Sequence, residues 1–258
     1  AAWNANWRNI CVSDTYEPGS TSKIFTVASA LEEGSITGNE AYECDGFQEV
    51  GGWKIKCNVV TGHGILAVSE SIMQSCNDAM MQIVAGLGKE RFCKFMEIFG
   101  FSKKTGIDLP GESSPIYHKL ENMGLTELAS SSFGQTFNIT PIQLITAVST
   151  VVNGGYLMQP YLVSEILDEN GKTISKTEPT VKRQVISTET SLKMRELMEA
   201  VVDGGGGKNA YLTGYRIGGK TGTSQKVSKM NQTGLTGLYI SSFCGVAPID
   251  DPEIALLL

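Results

Sequence analysis

A change of texture near residue 160 constrains the fold of this 258-residue chain more than any other feature. Before it, apolar residues recur at helical spacing. Ile24, Val27, Ala28 and Leu31 fall at i, i+3, i+4 and i+7, and Gly34 supplies a stop. The pattern predicts helices over Ser20–Glu33 and over about 66–74, 78–87 and 88–99. Thr140-Pro141, an N-cap followed by proline at the first helical position, opens another to about Val152. Between these, residues 35–64 read as loop with one hairpin, Phe47–Val50 against Trp53–Cys57 across Gly51-Gly52. After the change, residues 161–176 alternate around Glu169-Asn170-Gly171, a hairpin signal. One more helix, from Thr188 to about Val202, precedes strand-like runs at about 214–224, 237–247 and 253–258. Helices first and strands last predict an α+β fold: a mainly antiparallel sheet flanked by helices, plus a helical subdomain. Residues 1–258 are expected to form a single domain, truncated, with a mainly helical part over about 20–160 and a strand-rich part over about 161–258. Because Ile254–Leu258 ends in mid-strand, the sheet is expected to be incomplete in this chain.

Bulk properties remove several functions. A net charge of −6 without a Lys/Arg run argues against a nucleic-acid partner. No apolar stretch approaches the roughly 20 residues of a membrane span. Six scattered cysteines, with no Cys-x-x-Cys pair, are too few for a disulfide scaffold. Cys93 and Cys244 sit in helical and strand-like apolar patterns, as small core residues do.

Chemistry-bearing residues fall in three places. Pro18-Gly19-Ser20-Thr21-Ser22-Lys23 runs straight into the first helix, which puts Ser20 at its N-cap or first turn and Lys23 on the same face. Alone, Ser20 is adequately explained as a cap. An amine beside a hydroxyl, near unpaired helix N–H groups, also supplies a base and an oxyanion site to a serine nucleophile. Ser75-Cys76-Asn77 falls at a break between two helical patterns, where Ser75 and Asn77 can face a cleft or cap the next helix. Lys220-Thr221-Gly222-Thr223 lies on a predicted strand, where small residues admit a substrate backbone and Lys and Thr attract an anion. Plain edge strand is the competing reading. Gly214 to Thr221 also matches the phosphate-loop pattern, yet Gly222-Thr223-Ser224 is poor helix-starting sequence. Lys104-Thr105-Gly106 runs into a turn-rich connector rather than a strand. With no Gly-x-Ser-x-Gly elbow and only His63 and His118 available, a lysine is the better base.

In order, Ser-x-x-Lys, Ser-x-Asn and Lys-Thr-Gly lie about 55 and 145 residues apart, a set shared by penicillin-binding proteins and serine β-lactamases. Tyr16–Lys23, Gly62-His63-Gly64, Thr105–Glu112, Ser132–Gln135 with Thr140–Leu144, and Gly218–Thr223 extend the likeness over nearly the whole chain. The sequence resembles the transpeptidase domain of class B penicillin-binding proteins, of the Gram-positive division, elongation or sporulation type. The resemblance implies the penicillin-binding-protein/β-lactamase-like fold and a peptidoglycan D,D-transpeptidase. Ser20 would attack the stem peptide's D-alanyl-D-alanine carbonyl, with Lys23 as base, Ser75 relaying a proton and Asn77 orienting the substrate amide. Lys220, Thr221, Gly222 and Thr223 would bind the terminal carboxylate, and the Ser20 and Thr223 N–H groups would form the oxyanion hole. β-Lactams would acylate Ser20. The resemblance also implies an extracytoplasmic enzyme, membrane-anchored outside this stretch and working with a glycosyltransferase, with no cofactor required for catalysis. A D,D-carboxypeptidase, a β-lactamase or a non-catalytic β-lactam sensor on the same site are the alternatives. Hydrolysis needs a second base, and nothing marks Glu112 or Glu121 as one.

Cys44, Asp45, Cys57 and His63 fall within one twenty-residue stretch upstream of Ser75. Two thiolates, a carboxylate and an imidazole suit a structural zinc, with Gly51-Gly52 bringing the cysteines together. A Cys44–Cys57 disulfide and two unpaired thiols are the other readings.

Overall fold

In the computed structural model, which describes residues 7–225 and 237–258, most of the helical patterns become helices where expected. Helix α1 (Ile10–Ser13) precedes a 3-10 turn over Gly19–Ser22, and α2 (Lys23–Glu32) continues from that turn. Ser20 thus lies inside a tight turn and not at the cap of the α-helix. The cause is distant packing. Gly19 takes φ +57°, donates its N–H to Gly134 O at 2.9 Å, and has Thr223 O only 2.7 Å from where a Cβ would stand. No local propensity reports such a contact.

Residues 35–64 hold more structure than expected. Strands β1 (Ala41–Cys44), β2 (Phe47–Val50), β3 (Trp53–Lys56) and β4 (Gly64–Ala67) follow one another. The hairpin forms as expected, with Val50 opposite Trp53. The surprise is an antiparallel pair between β1 and β4, running from Ala41↔Ala67 to Cys44↔Gly64. That pairing takes residues 66 and 67 from the expected helix, which begins at Val68 as α3 (Val68–Met73). Strand partners this far apart leave no mark on local periodicity.

Next come α4 (Asn77–Leu87), α5 (Lys89–Ile98) and α6 (Leu125–Ser131), the last too short to show a period in sequence. In α7 (Pro141–Val152) the expected cap is a full capping box: Thr140 Oγ1 accepts from Gln143 N at 3.3 Å, and Gln143 Oε1 accepts from Thr140 N at 2.9 Å. Strands β5 (Tyr156–Met158), β6 (Glu165–Leu167), β7 (Thr173–Lys176) and β8 (Val181–Gln184) form two antiparallel pairs, β6–β7 being the Asn-Gly hairpin. Helix α8 (Thr188–Asp203) leads to β9 (Gly218–Gln225), β10 (Tyr239–Ala247) and β11 (Ile254–Leu257). These last three make an antiparallel sheet in the order β11–β10–β9.

One apolar core joins the two textures. Every residue of α2 from Lys23 to Ala30 is buried, and α2 packs on α4, α5 and α8. Phe25 packs tilted against Phe99 and edge-on against Phe101, at centroid distances of 5.2 and 4.8 Å. Met194, Met198 and Val201 of α8 continue the same core to Cys244 and Val246 of β10. Cys93 and Cys244 are core residues, as expected. A helix so enclosed is a rigid mount for whatever stands at its start. Among the described residues, no helix is long and apolar enough to cross a membrane.

Candidate active site

Three segments distant in sequence converge on the start of α2. Ser20 is half-buried in its turn, and among the described residues its hydroxyl makes no hydrogen bond. Lys23, the first residue of α2, is 0% exposed. Its Nζ donates to Asn77 Oδ1 at 2.7 Å, to Ser75 Oγ at 3.0 Å, and to the Ser75 carbonyl. In the resting protein the amine therefore grips the second segment and not Ser20.

The second segment is the break between α3 and α4, as the sequence indicated. Ser75 sits at φ +56°, a left-handed conformation that costs a side-chain-bearing residue about 1–2 kcal/mol. Cys76 caps α4, its Sγ accepting from Ala79 N at 3.4 Å, and Asn77 is the first helical residue.

β9 supplies the third segment. Lys220 is 0% exposed and donates to Ser75 Oγ at 3.0 Å and to Thr221 O at 3.1 Å. Beyond it, Thr221 is half-buried, Gly222 buried and Thr223 exposed. A Cβ on Gly222 would lie 2.5 Å from Ser242 Oγ and 2.9 Å from Thr21 Cγ2, so only glycine lets the strand approach the Ser20 turn this closely. The same approach puts the Thr223 backbone beside Gly19.

Electrostatics follow from enclosure. Burial, and then the positive charge of Lys220, holds the Lys23 amine well below the ordinary lysine range. Burial alone lowers Lys220 to about 8. A buried amine that holds its proton less tightly is a better proton acceptor than a solvated lysine.

Other candidates from the sequence stand elsewhere. Lys220 is the third residue of a strand and no helix opens there, so the phosphate-loop geometry is absent. Lys104-Thr105-Gly106 is loop: Glu112 is buried and accepts from Thr105 N (2.6 Å), Thr105 Oγ1 (2.8 Å) and Gly106 N (3.0 Å). Glu121 is exposed on a separate 3-10 turn. Among the described residues, neither glutamate bonds to a residue of the cleft.

The expected metal set needs one correction. Cys44, Cys57 and His63 do come together, but Asp45 does not join them. Asp45 is exposed, with Oδ1 3.4 Å from Phe47 N, because residues that follow one another at a strand end face opposite ways. Cys76 takes the fourth place, and all four ligand atoms lie within 4.8 Å of one another. Its only sequence signal was a third cysteine inside the Ser75–Asn77 break. All six cysteines are free, so the Cys44–Cys57 disulfide is not formed.

A serine in a glycine-shaped turn, next to two buried lysines that share a hydroxyl, is a serine–lysine arrangement and not a Ser-His-Asp triad. The family profile described as the penicillin binding protein transpeptidase domain matches residues 1–258, and the chain belongs to that family. Stage V sporulation protein D of Bacillus subtilis is 45% identical over 96% of this chain and 38% of its own length. Peptidoglycan D,D-transpeptidase FtsI of Escherichia coli K12 is 30% identical over 97% of the chain and 40% of its own length. The chain thus spans about two fifths of these relatives. Among solved structures, the D,D-transpeptidase domain of an Eggerthella lenta peptidoglycan glycosyltransferase superposes with a TM-score of 0.88 at 27% identity, covering 99% of this chain and 64% of that one. Penicillin-binding protein 3 of Mycobacterium tuberculosis, complexed with aztreonam, gives 0.86 at 26% identity, covering 96% and 57%. The α+β expectation and the class B resemblance both hold.

Proposed function

We propose that residues 1–258 form one serine-type D,D-transpeptidase domain that cross-links peptidoglycan stem peptides. The observation that carries this reading is the hydrogen-bonded series Lys23–Ser75–Lys220 beside an unbonded Ser20 hydroxyl. Substrate binding turns the Lys23 amine toward Ser20, whose Oγ attacks the carbonyl between the two terminal D-alanines. The backbone N–H groups of Ser20 and Thr223 hold the oxyanion, and the Ser20 proton passes through Lys23 and Ser75 to the departing D-alanine nitrogen. Lys220, Thr221 and Thr223 hold the terminal carboxylate, Gly222 leaves room for it, and Asn77 orients the substrate amide. The amine of a second stem then takes the acyl group from Ser20, forming the cross-link. None of these steps draws on a metal or cofactor. β-Lactams acylate Ser20 by the same attack. The relative named as a peptidoglycan D,D-transpeptidase supports work on peptidoglycan; the setting that goes with this reading is the extracytoplasmic face of the membrane, in a longer anchored protein partnered by a glycosyltransferase.

Transfer is favoured over hydrolysis because the two glutamates weighed as a second base, Glu112 and Glu121, bond to no described residue of the cleft, Glu112 being committed to its own loop. The test is incubation with a labelled penicillin, followed by mass spectrometry, for the parent and Ser20→Ala. A stable adduct on the parent alone is expected. An adduct on both proteins would sink the nucleophile assignment, and rapid adduct loss would make the protein a β-lactamase.

A further inference from the structure

The second Lys-Thr-Gly, at Lys104–Gly106, borders a cavity of about 420 Å³ that shares no residue with the acyl-transfer cleft. Four cations line it: Lys103 and Lys104 from the loop after α5, and Lys182 and Arg183 from β8. We infer that this cavity binds a phosphate monoester, the phosphate held by the four cations and the organic part against Phe99, Leu157 and Tyr117. The site goes beyond the acyl-transfer reading and stands or falls without it.

Charge is the first argument. Acids outnumber Lys and Arg in this chain by 27 to 21, yet among the described residues none of these four cations makes a salt bridge. Glu97 is the one acid among the described lining residues. Glu112 lies close by, but its oxygens already accept from Thr105 and Gly106. Burial, and then the charge of Arg183, lowers the Lys182 amine, with Glu112 opposing them. Like charges kept together in a partly dry cavity repel one another, and a bound dianion relieves that repulsion.

The backbone of β8 is the second argument. Successive strand residues ordinarily face opposite ways. Here Leu157 pairs with Arg183 and Met158 with Val181, so Lys182 is an extra residue without a partner on β5, a β-bulge. A bulge re-aims a side chain, and this one puts Lys182 on the same cavity as Arg183. Lys182 Nζ donates to Thr105 O and Gln159 Oε1, each at 2.9 Å. Arg183 Nε donates to Ile98 O at 2.7 Å, and its Nη2 to Glu97 O at 3.3 Å. Both heads are thereby fixed, and both keep N–H groups to spare, since an ammonium has three and a guanidinium five. The facing loop is set as well, with Gln143 Nε2 donating to Lys103 O at 2.8 Å. Capping the last carbonyls of α5 accounts for Arg183. It accounts for neither the bulge at Lys182 nor the two exposed lysines across the cavity.

Four cations exceed what the single charge of a carboxylate needs. A phosphate monoester brings a charge of about −1.5 to −2 and three acceptor oxygens. Its source is either a soluble phosphorylated compound or the headgroup of phosphatidic acid.

Calorimetric titration of the whole chain tests the site, with phenyl phosphate, inorganic phosphate and phenylacetate as probes. Phenyl phosphate should saturate one site per chain, about tenfold more tightly than inorganic phosphate because its ring is buried. Raising the salt concentration should weaken it, a readout that needs no variant. Lys103→Gln combined with Lys104→Gln should weaken it about fivefold at an unchanged melting temperature. Saturation nowhere in the millimolar range would overturn the site. Unchanged affinity in the double variant would mean an adventitious ion only, and phenylacetate binding as tightly would overturn the phosphate assignment. Vesicles of phosphatidylcholine with and without phosphatidic acid separate the sources. Sedimentation with phosphatidic acid that phenyl phosphate competes away supports the headgroup, and phenyl phosphate binding without sedimentation supports a soluble ester.

Discussion

The two walls that face the Ser20 turn are built by different physics. The β9 wall is a backbone structure: eight residues pair in unbroken antiparallel register with β10, from Gly218↔Val246 to Gln225↔Tyr239. Main-chain hydrogen bonds set its position, and its side chains matter chiefly where none can be fitted, as at Gly222. The Ser75–Asn77 wall has no ladder. It is a three-residue break between helices, in a costly conformation, held by the Lys23 amine from above and by Cys76 from below. A wall held by a sheet resists loss of any one side chain, whereas a wall held by a few side chains depends on each of them.

Lys23→Met should break the contrast most severely. It leaves Ser75 O, Ser75 Oγ and Asn77 Oδ1 without their buried donor as well as removing the base, and acylation should fall by about 10³-fold or more, on the scale of general-base loss. Stopped-flow penicillin acylation measures it. Gly222→Ala tests the one weak point of the ladder wall. The new Cβ must push β9 off the Ser20 turn, and a shift near 1 Å should cost about 10²-fold in acylation. A smaller loss would show that the strand can yield.

pH separates the two lysines. Lys23 must shed its proton to act, so acylation rises with pH on a limb well below the ordinary lysine pKa of about 10.4. Lys220 must keep its proton to attract the carboxylate, so acylation falls as pH rises through about 8. A bell-shaped rate profile is expected, and one that climbs steadily to pH 10 would remove Lys220 from carboxylate binding. A smaller effect belongs to Ser75 itself: Ser75→Gly should unfold about 1 kcal/mol later in denaturant than Ser75→Ala, because only glycine is relaxed at φ +56°. Smallest of all is Asp45→Asn, exposed and outside the cysteine cluster, which should change stability by less than about 0.5 kcal/mol.

The same contrast explains what could be read from sequence. Helices α4, α5, α7 and α8 and the hairpin β2–β3 announce themselves by period, caps and turn residues, all of which are local. The pairing of β1 with β4 and the 3-10 entry to α2 are set by partners far along the chain, so no window of sequence contains their cause. The three site segments were legible because each is a short run with its own chemistry. What sequence could not show is which way side chains turn: that Lys23 bonds Ser75 and Asn77, or that Asp45 faces outward while Cys76 faces in.

The shared hydroxyl of Ser75 has one more consequence. A hydroxyl oxygen has two lone pairs and one hydrogen. While both lysines are protonated, Lys23 and Lys220 occupy both lone pairs, and neither ammonium can accept in return. The hydrogen then has a single direction left, outward into the cleft. In the proposed mechanism, the moment Lys23 takes a proton from Ser20 is therefore the moment Ser75 is aimed to give one away, and the order of the two transfers would follow from the donor count of a single oxygen.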